Sequence, residues 1–454
     1  MDLRENYPIN NEPDKGHGGE GFKLRNYIAI TALLIALAVL LTFIVTYTVL
    51  TVRYEEEKTH LDLQYKEKLD AIGEFKSIAE LYNALPEEMR NIEIYKKLAY
   101  IDYYYRTNYA GEINEDDLVY MIANGYIIGA GDEYGGYYTA DEFDTIMNDS
   151  EGNSVGIGVY VTSDTNGGII RVSYVMKDGP ANKAGLLPGD IITHVEGQSI
   201  SELGYYVAID HIKGEPGTPV KITYMRDGES YEISIIREEI TVESVIYSKH
   251  ETEKDVGIIR IIEFNNSTPA QFKEAVKQAI TVDGCKKLVY DLRGNPGGTL
   301  TSVIDMLDFL LPSGTVVTVR YADGTKQIYS SDESGEEFEK LYGTDIKMAV
   351  LTNGYTASAA ELFTCALKDY KKAIIVGENT FGKGCGQSVI PLPDGTGLSF
   401  TTFLYDPPVS ENYNGEGIEP DVKQELSEEA SKKNIFELAP SEDDQLKAAL
   451  EALK

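Results

Sequence analysis

The sequence predicts a multidomain α/β protein with an N-terminal helical region and one transmembrane helix. Three observations carry this. From about Val256, apolar β-branched runs alternate with helix-forming stretches, as in helices packed on a sheet. From about Asn153, short β-rich runs separated by glycine turns mark a smaller α+β domain. Ahead of both, an uncharged apolar run covers Tyr27–Val52. At 454 residues the chain has room for two or three domains.

Taken in order, residues 1–26 are polar, with Asn, Gly, Pro and mixed charge, and are expected to be a disordered tail. Tyr27–Val52 exceeds the roughly 20 residues that span a bilayer. It also exceeds the apolar core of a signal peptide, and no small-x-small cleavage site follows, so it reads as an uncleaved single-pass anchor. Lys15, Lys23 and Arg25 precede it, while Arg53, Lys58, Lys66 and Lys68 follow, so flanking charge does not choose the orientation.

Residues 53–150 form the helical region. Leu61, Tyr65, Leu69, Ile72, Phe75 and Ile78 recur at helical spacing within 54–85, before Pro86. This segment suits either an amphipathic helix packed on its own domain or a coiled-coil arm that pairs two copies. Tyr100, Tyr103, Tyr104 and Tyr105 are expected to fill a core or an interface. Asn114-Glu115-Asp116-Asp117 opens a further helix through Ile128, because Asn and Asp complement a helix start.

Residues 151–240 contain strand runs at Gly156–Val161, Gly168–Val172, Asp190–Val195 and Val220–Arg226, with a helix from about Leu203 to Lys213. Residues 241–454 carry the alternating core: strand Val256–Phe264, helix Thr268–Ile280, strand Lys287–Asp291, helix Thr301–Leu311, a helix from about Ala357 to Lys368, strand Leu398–Tyr405 and a last helix Gln445–Leu453.

The net charge of −33 argues against a nucleic-acid partner, since phosphates would be repelled. Three cysteines, Cys285, Cys365 and Cys385, make no disulfide framework. His194, His211 and His250 are scattered without metal-ligand spacing, so no metal site is expected.

The candidate chemistry lies in Leu351–Gln387. Ser358 falls at the start of a helix, where backbone N–H groups lack intrahelical partners and favour negative charge. A nucleophile there has donors at hand for an oxyanion. No histidine is near, and Lys383, in a glycine-rich loop after the next strand, is the best nearby base: a Ser-Lys pair. Cys385 is the alternative nucleophile, but it too lacks a histidine partner. A lysine can accept a proton only when neutral. Its ordinary pKa is about 10.4, and burial without a carboxylate partner lowers it.

Two resemblances sharpen this reading. Gly156-Ile157-Gly158-Val159, together with GPANKAGLLPGD at Gly179–Asp190, resembles a PDZ domain. The resemblance implies a loop at Gly156, Ile157, Gly158 and Val159 that captures a peptide carboxylate, beside a strand edge that adds an extended peptide. The chain beyond the anchor resembles the C-terminal processing peptidases, or tail-specific proteases. The match is carried by Asp291–Gly298, Thr356-Ala357-Ser358-Ala359-Ala360-Glu361, Phe381–Gln387 and Gly417-Ile418-Glu419-Pro420-Asp421. It implies a crotonase-like α/β peptidase core with an inserted PDZ domain. In that family's terms Ser358 is the nucleophile, Lys383 the base and Gln387 the residue that orients it. The N–H of Ala359 is one oxyanion donor, and Gly297 or Gly298 supplies the second.

The same resemblance implies protein substrates with apolar C-terminal tails, an extracytoplasmic catalytic part tethered to the cell membrane by one helix, and no cofactor. It also implies gating by an empty PDZ domain and a homodimer through residues 54–110. The rival expectation is a catalytically silent, membrane-tethered PDZ adaptor. Cys385 between the lysine and the glutamine departs from the family pattern.

Overall fold

The computed structural model describes residues 92–163, 169–331 and 337–454. The expected tail 1–26, anchor 27–52 and periodic segment 54–85 lie outside the described residues. Among the described residues no helix is long and apolar enough to cross a membrane. The chain divides into two compact units, Met1–Ala110 and Gly111–Lys454. In the first, α1 (Ile92–Asn108) carries an Arg106–Asp102 ion pair of 2.7 Å, one turn apart.

The second unit opens with α2 (Glu115–Ala130). Asn114 Oδ1 accepts the N–H groups of Asp116 and Asp117, and Gly131 ends the helix in the left-handed conformation. Strand β1 (Gly136–Tyr138) leads into α3 (Ala140–Glu151), which a capping box of Thr139 and Glu142 starts and Gly152 stops.

Next come β2 (Asn153–Gly156), β3 (Val159–Ser163), β4 (Ile170–Val175), the short α4 (Pro180–Ala184), β5 (Ile191–Val195), α5 (Tyr205–Ile212), β6 (Pro219–Arg226), β7 (Glu229–Ile236) and β8 (Glu238–Thr241). An antiparallel sheet runs β3-β4-β5-β6-β7, while β2 pairs β8 where the domain leaves and rejoins the chain. Ile157, Ile170, Val172, Leu186, Ile192, Val220 and Ile222 fill its core. The strand β7 has no counterpart among the expected ones, because most of its residues face solvent and blur the apolar alternation.

After the smaller domain come, among other elements, β9 (Val245–Lys249), β10 (Val256–Ile261), α6 (Thr268–Lys277), β11 (Lys287–Asp291), α7 (Leu300–Leu310), β12 (Gly314–Tyr321), β13 (Lys326–Ser331), β14 (Lys347–Thr352), α8 (Ala359–Asp369), β15 (Ala373–Gly377), β16 (Cys385–Pro391), β17 (Gly397–Asp406), β18 (Val422–Lys423) and α9 (Asp444–Ala452). The main sheet runs β9-β10-β11-β14-β15-β18, antiparallel at the first pair and parallel thereafter. Its inner strands β10, β11, β14 and β15 are largely apolar runs because both faces are covered. Phe272 of α6, Met306 and Leu307 of α7 and Phe363 of α8 belong to one core. On the other face, Leu446, Ala449 and Leu453 at the C-terminal end pack with Val289, Leu351 and Val376. A second sheet runs β1-β17-β12-β13, with β16 on β17, so the strand before α3 joins the C-terminal half through Gly136↔Ser399.

Candidate active site

Four neighbouring parallel strands deliver the site from their carboxyl ends, where open α/β sheets hold their ligands. After β10 comes the loop with Phe264, after β11 the Leu292–Gly298 turn, after β14 the loop to Ser358, and after β15 the loop to Lys383. Because Asp291 pairs with Leu351 in register, the glycine turn and the serine loop emerge side by side.

Hydrogen bonds then weld the loops together. Thr356 Oγ1 donates to the Leu292 carbonyl at 2.9 Å, and Ala357 N–H donates to the Asn295 carbonyl at 2.9 Å. The Asn295 side chain donates to the Ile261 carbonyl and accepts Gly297 N–H, both at 2.8 Å. Beneath the turn, Asp291 is buried between Arg260 and Arg293, and Arg293 continues to Asp443 at 2.8 Å. Burial pushes the Asp291 carboxyl up, but the two guanidinium groups hold it far below the usual carboxylate range.

Ser358 is the N-cap of α8 with φ +57°, a region uncommon for residues other than glycine. Such strain costs on the order of 1–3 kcal/mol and clusters at functional positions. Gly297 and Gly298 also have positive φ. A Cβ at Gly297 would lie 2.7 Å from Ser358 Cβ, and one at Gly298 would overlap the Phe264 carbonyl oxygen. Only glycine admits this approach.

The two glycines differ as donors. Gly297 N–H is committed to Asn295 Oδ1. Phe264 bridges the turn through the Gly297 carbonyl and Thr299 N–H, which leaves Gly298 N–H out of the ladder. Neither Gly298 N–H nor Ala359 N–H donates to an acceptor among the described residues.

Ser358 and Lys383 line one cavity of about 550 Å³, with Gly298, Ala359, Gln387 and Tyr405. Ile146, Leu300, Val389 and Phe403 give it an apolar wall. Within it no hydrogen bond joins the Ser358 and Lys383 side chains. Tyr405 Oη lies 3.1 Å from Ser358 Oγ and 2.8 Å from the Lys383 carbonyl oxygen. Lys383 Nζ sits over the ring of Tyr134, 4.5 Å from its centroid. Burial pulls the Lys383 pKa down, against the pull of Cys385, Asp132 and Glu361.

Gln387, expected to orient the lysine, donates instead to Thr401 Oγ1 at 3.1 Å. Asp132 draws Thr401 into that position by accepting its N–H at 2.7 Å and its hydroxyl at 2.8 Å. Cys385 is buried, and burial pushes its thiol pKa up, which disfavours a thiolate nucleophile.

Sequence reasoning missed Tyr405, Tyr134 and Asp132. A fourth residue, Glu361, lies within the serine motif. That carboxylate is fully buried and accepts four hydrogen bonds, from Ser358 N–H, Lys383 N–H, Gly382 N–H and Thr380 Oγ1. Its spacing three residues after Ser358, the third turn position of a capping box, was the available signal. Nothing local marks the other three, which come from distant strands and loops.

In the smaller domain Gly158 has φ +75° and Val159 opens β3. β3 is the last strand of its sheet, so its outer edge is unpaired among the described residues. The Ile157 side chain is buried in the domain core, so what Ile157 offers the loop is its backbone.

Known proteins resemble this chain. Residues 255–424 match the model of peptidase family S41, and residues 155–236 match that of the PDZ domain. A Staphylococcus haemolyticus protein named "Probable CtpA-like serine protease" is 35% identical over 78% of this chain and 68% of its own length. A Staphylococcus saprophyticus protein of the same name is 36% identical over 75% of this chain and 66% of its own. The chain thus spans about two thirds of the length of the curated relatives it matches. A solved structure from Bacteroides fragilis, named "Putative S41 protease", shares the fold, with a TM-score of 0.52 at 17% identity over 77% of this chain and 93% of that one.

Proposed function

This chain belongs to peptidase family S41 and carries a PDZ domain, and from that premise we propose that it is a membrane-anchored serine endopeptidase that cleaves proteins delivered by their C-terminal tails. Ser358 is the nucleophile and Lys383 the general base. The N–H groups of Ala359 and Gly298 form the oxyanion hole. The observation that carries this reading is the shared cavity. It holds a strained serine at a helix start, a half-buried lysine, and two N–H groups without acceptors among the described residues.

Lys383 Nζ swings from Tyr134 to Ser358 Oγ and takes its proton as the oxygen attacks a peptide carbonyl. The oxyanion is met by the two amides, which need no reorganisation. The ammonium then protonates the leaving amine, and water resolves the acyl-enzyme through the same lysine. The apolar wall of the cavity suits a small apolar side chain beside the scissile bond. Gln387 steadies the lysine once Thr401 releases it.

The edge of β3 and the Gly156–Val159 loop receive the tail by β-augmentation, with the carboxylate at the backbone of Ile157 and Gly158. The run 27–52 tethers the chain to the cell membrane, with residues 54–454 outside the cytoplasm, and residues 54–110 pair two copies. A non-catalytic adaptor would keep the β3 edge but would have no use for the strain at Ser358.

The test is to incubate the detergent-solubilised chain with an unfolded protein ending in small apolar residues. Cleavage that Ser358→Ala abolishes supports the peptidase. Tail binding without cleavage under any condition supports the adaptor.

A further inference from the structure

We infer that Tyr134 is a positioning residue for the base: the face of its ring holds the Lys383 ammonium off Ser358 Oγ, and the amine can take the serine proton only after leaving that ring. This rests on the Ser358–Lys383 reading above.

The geometry is specific. Lys383 Nζ lies 4.5 Å from the Tyr134 centroid, within the range of a cation–π contact. Among the described residues Nζ has neither an ion pair nor a hydrogen bond. The ring is presented by a built turn. Asp132 Oδ1 accepts Tyr134 N–H at 3.1 Å, and the same carboxylate takes both donors of Thr401 on β17. Strand β1 then pairs β17 just beyond. Tyr405, on the same β17, occupies Ser358 Oγ and clamps the Lys383 carbonyl. One strand therefore fixes both tyrosines, one on the nucleophile and one on the base.

An aromatic face attracts a cation through its quadrupole and does little for a neutral amine. The ring therefore selects the protonated lysine, the form that has no lone pair for the serine proton. The other groups facing Lys383 are Asp132 from the turn, Glu361 from α8 and Cys385 at the start of β16, with Glu133 near the ring. All of these remain when only Tyr134 is changed. The sign follows. Removing the ring face takes away a contact made by the charged form alone, so the amine loses its proton at lower pH.

The test is the pH dependence of kcat/KM for the full chain in detergent, with an unfolded protein ending in small apolar residues as substrate. Its acid limb reports the free enzyme's base. Tyr134→Leu should move that limb down by about 0.5–1 pH unit. Tyr134→Phe, which keeps the ring face, should leave it in place. Tyr134→Met fills the same space without a ring and carries the same expectation if the leucine variant is unstable. An unmoved limb in both ring-less variants, a uniform loss at every pH, or an equal shift in Tyr134→Phe would overturn the inference. Ser358→Ala and Lys383→Ala run alongside. Hydrolysis that survives either one rejects the catalytic reading, and this inference with it, whereas hydrolysis lost in both with an unmoved limb rejects Tyr134 alone.

Discussion

The Glu361 carboxylate accepts the backbone N–H of Lys383 at 2.8 Å, and the same oxygen accepts Ser358 N–H at 2.9 Å. One buried carboxylate thus ties the Lys383 loop to the Ser358 turn. Glu361→Ala would strand four donors in a dry site, each unmade bond costing about 1–3 kcal/mol. The expected result is a destabilisation of at least about 3 kcal/mol together with loss of hydrolysis, read by calorimetry and a cleavage assay. Glu361→Gln, which can accept through only one atom, should fall between. An unchanged melting temperature in the alanine variant would refute the tie.

Gly298→Ala tests the oxyanion assignment. The new Cβ would drive the turn off the Phe264 carbonyl and re-aim the Gly298 amide. Turnover should fall by roughly 10²–10³, as for loss of one oxyanion donor, with KM little changed. A Gly298→Ala enzyme with wild-type kcat would move the donor role elsewhere.

The pH profile follows from Lys383. Burial lowers its pKa from the ordinary value, and only the neutral amine accepts a proton. Activity should therefore be low in acid and rise with pH through that depressed pKa to a plateau. Lys383→Ala should abolish turnover and leave tail binding intact, measured by calorimetric titration of a C-terminal peptide. A profile flat from acid to alkaline pH would count against the lysine.

Asp291 governs acid stability. Its folded pKa is depressed by Arg293 and Arg260 despite burial. Its contribution is thus fully present above the unfolded value of about 3.9 and is lost as pH falls through the folded one. Asp291→Asn should lower stability at neutral pH by about 3 kcal/mol, as for breaking a buried ion pair. It should also flatten the fall in melting temperature below about pH 4. Parallel acid-melting curves for the two proteins would exclude this account.

What the sequence made legible was what local pattern encodes. The apolar runs of β10, β11, β14 and β15 stand out because both faces of their sheet are buried. Asn114 and Ser358 mark helix starts through cap chemistry, and the glycines of Asp291–Gly298 announce a turn. The contacts that set the resting site are encoded otherwise. Tyr405 reaches Ser358 across 47 positions, and Asp132 reaches Thr401 across 269. Such pairings depend on which strands become neighbours, and no periodicity reports that. Gln387 illustrates the limit: the family resemblance suggests a partner for the lysine, but a threonine held by a distant aspartate takes its amide.

The central claim is that Ser358 and Lys383 act together on a peptide bond. The most direct measurement is the initial rate at which the detergent-solubilised chain and its Ser358→Ala and Lys383→Ala variants cut an unfolded protein with an apolar C-terminal tail, followed by mass spectrometry of the products. The account predicts cleavage by the wild type and none above background by either variant, with all three chains folded. Cleavage by Ser358→Ala at the wild-type rate would contradict it.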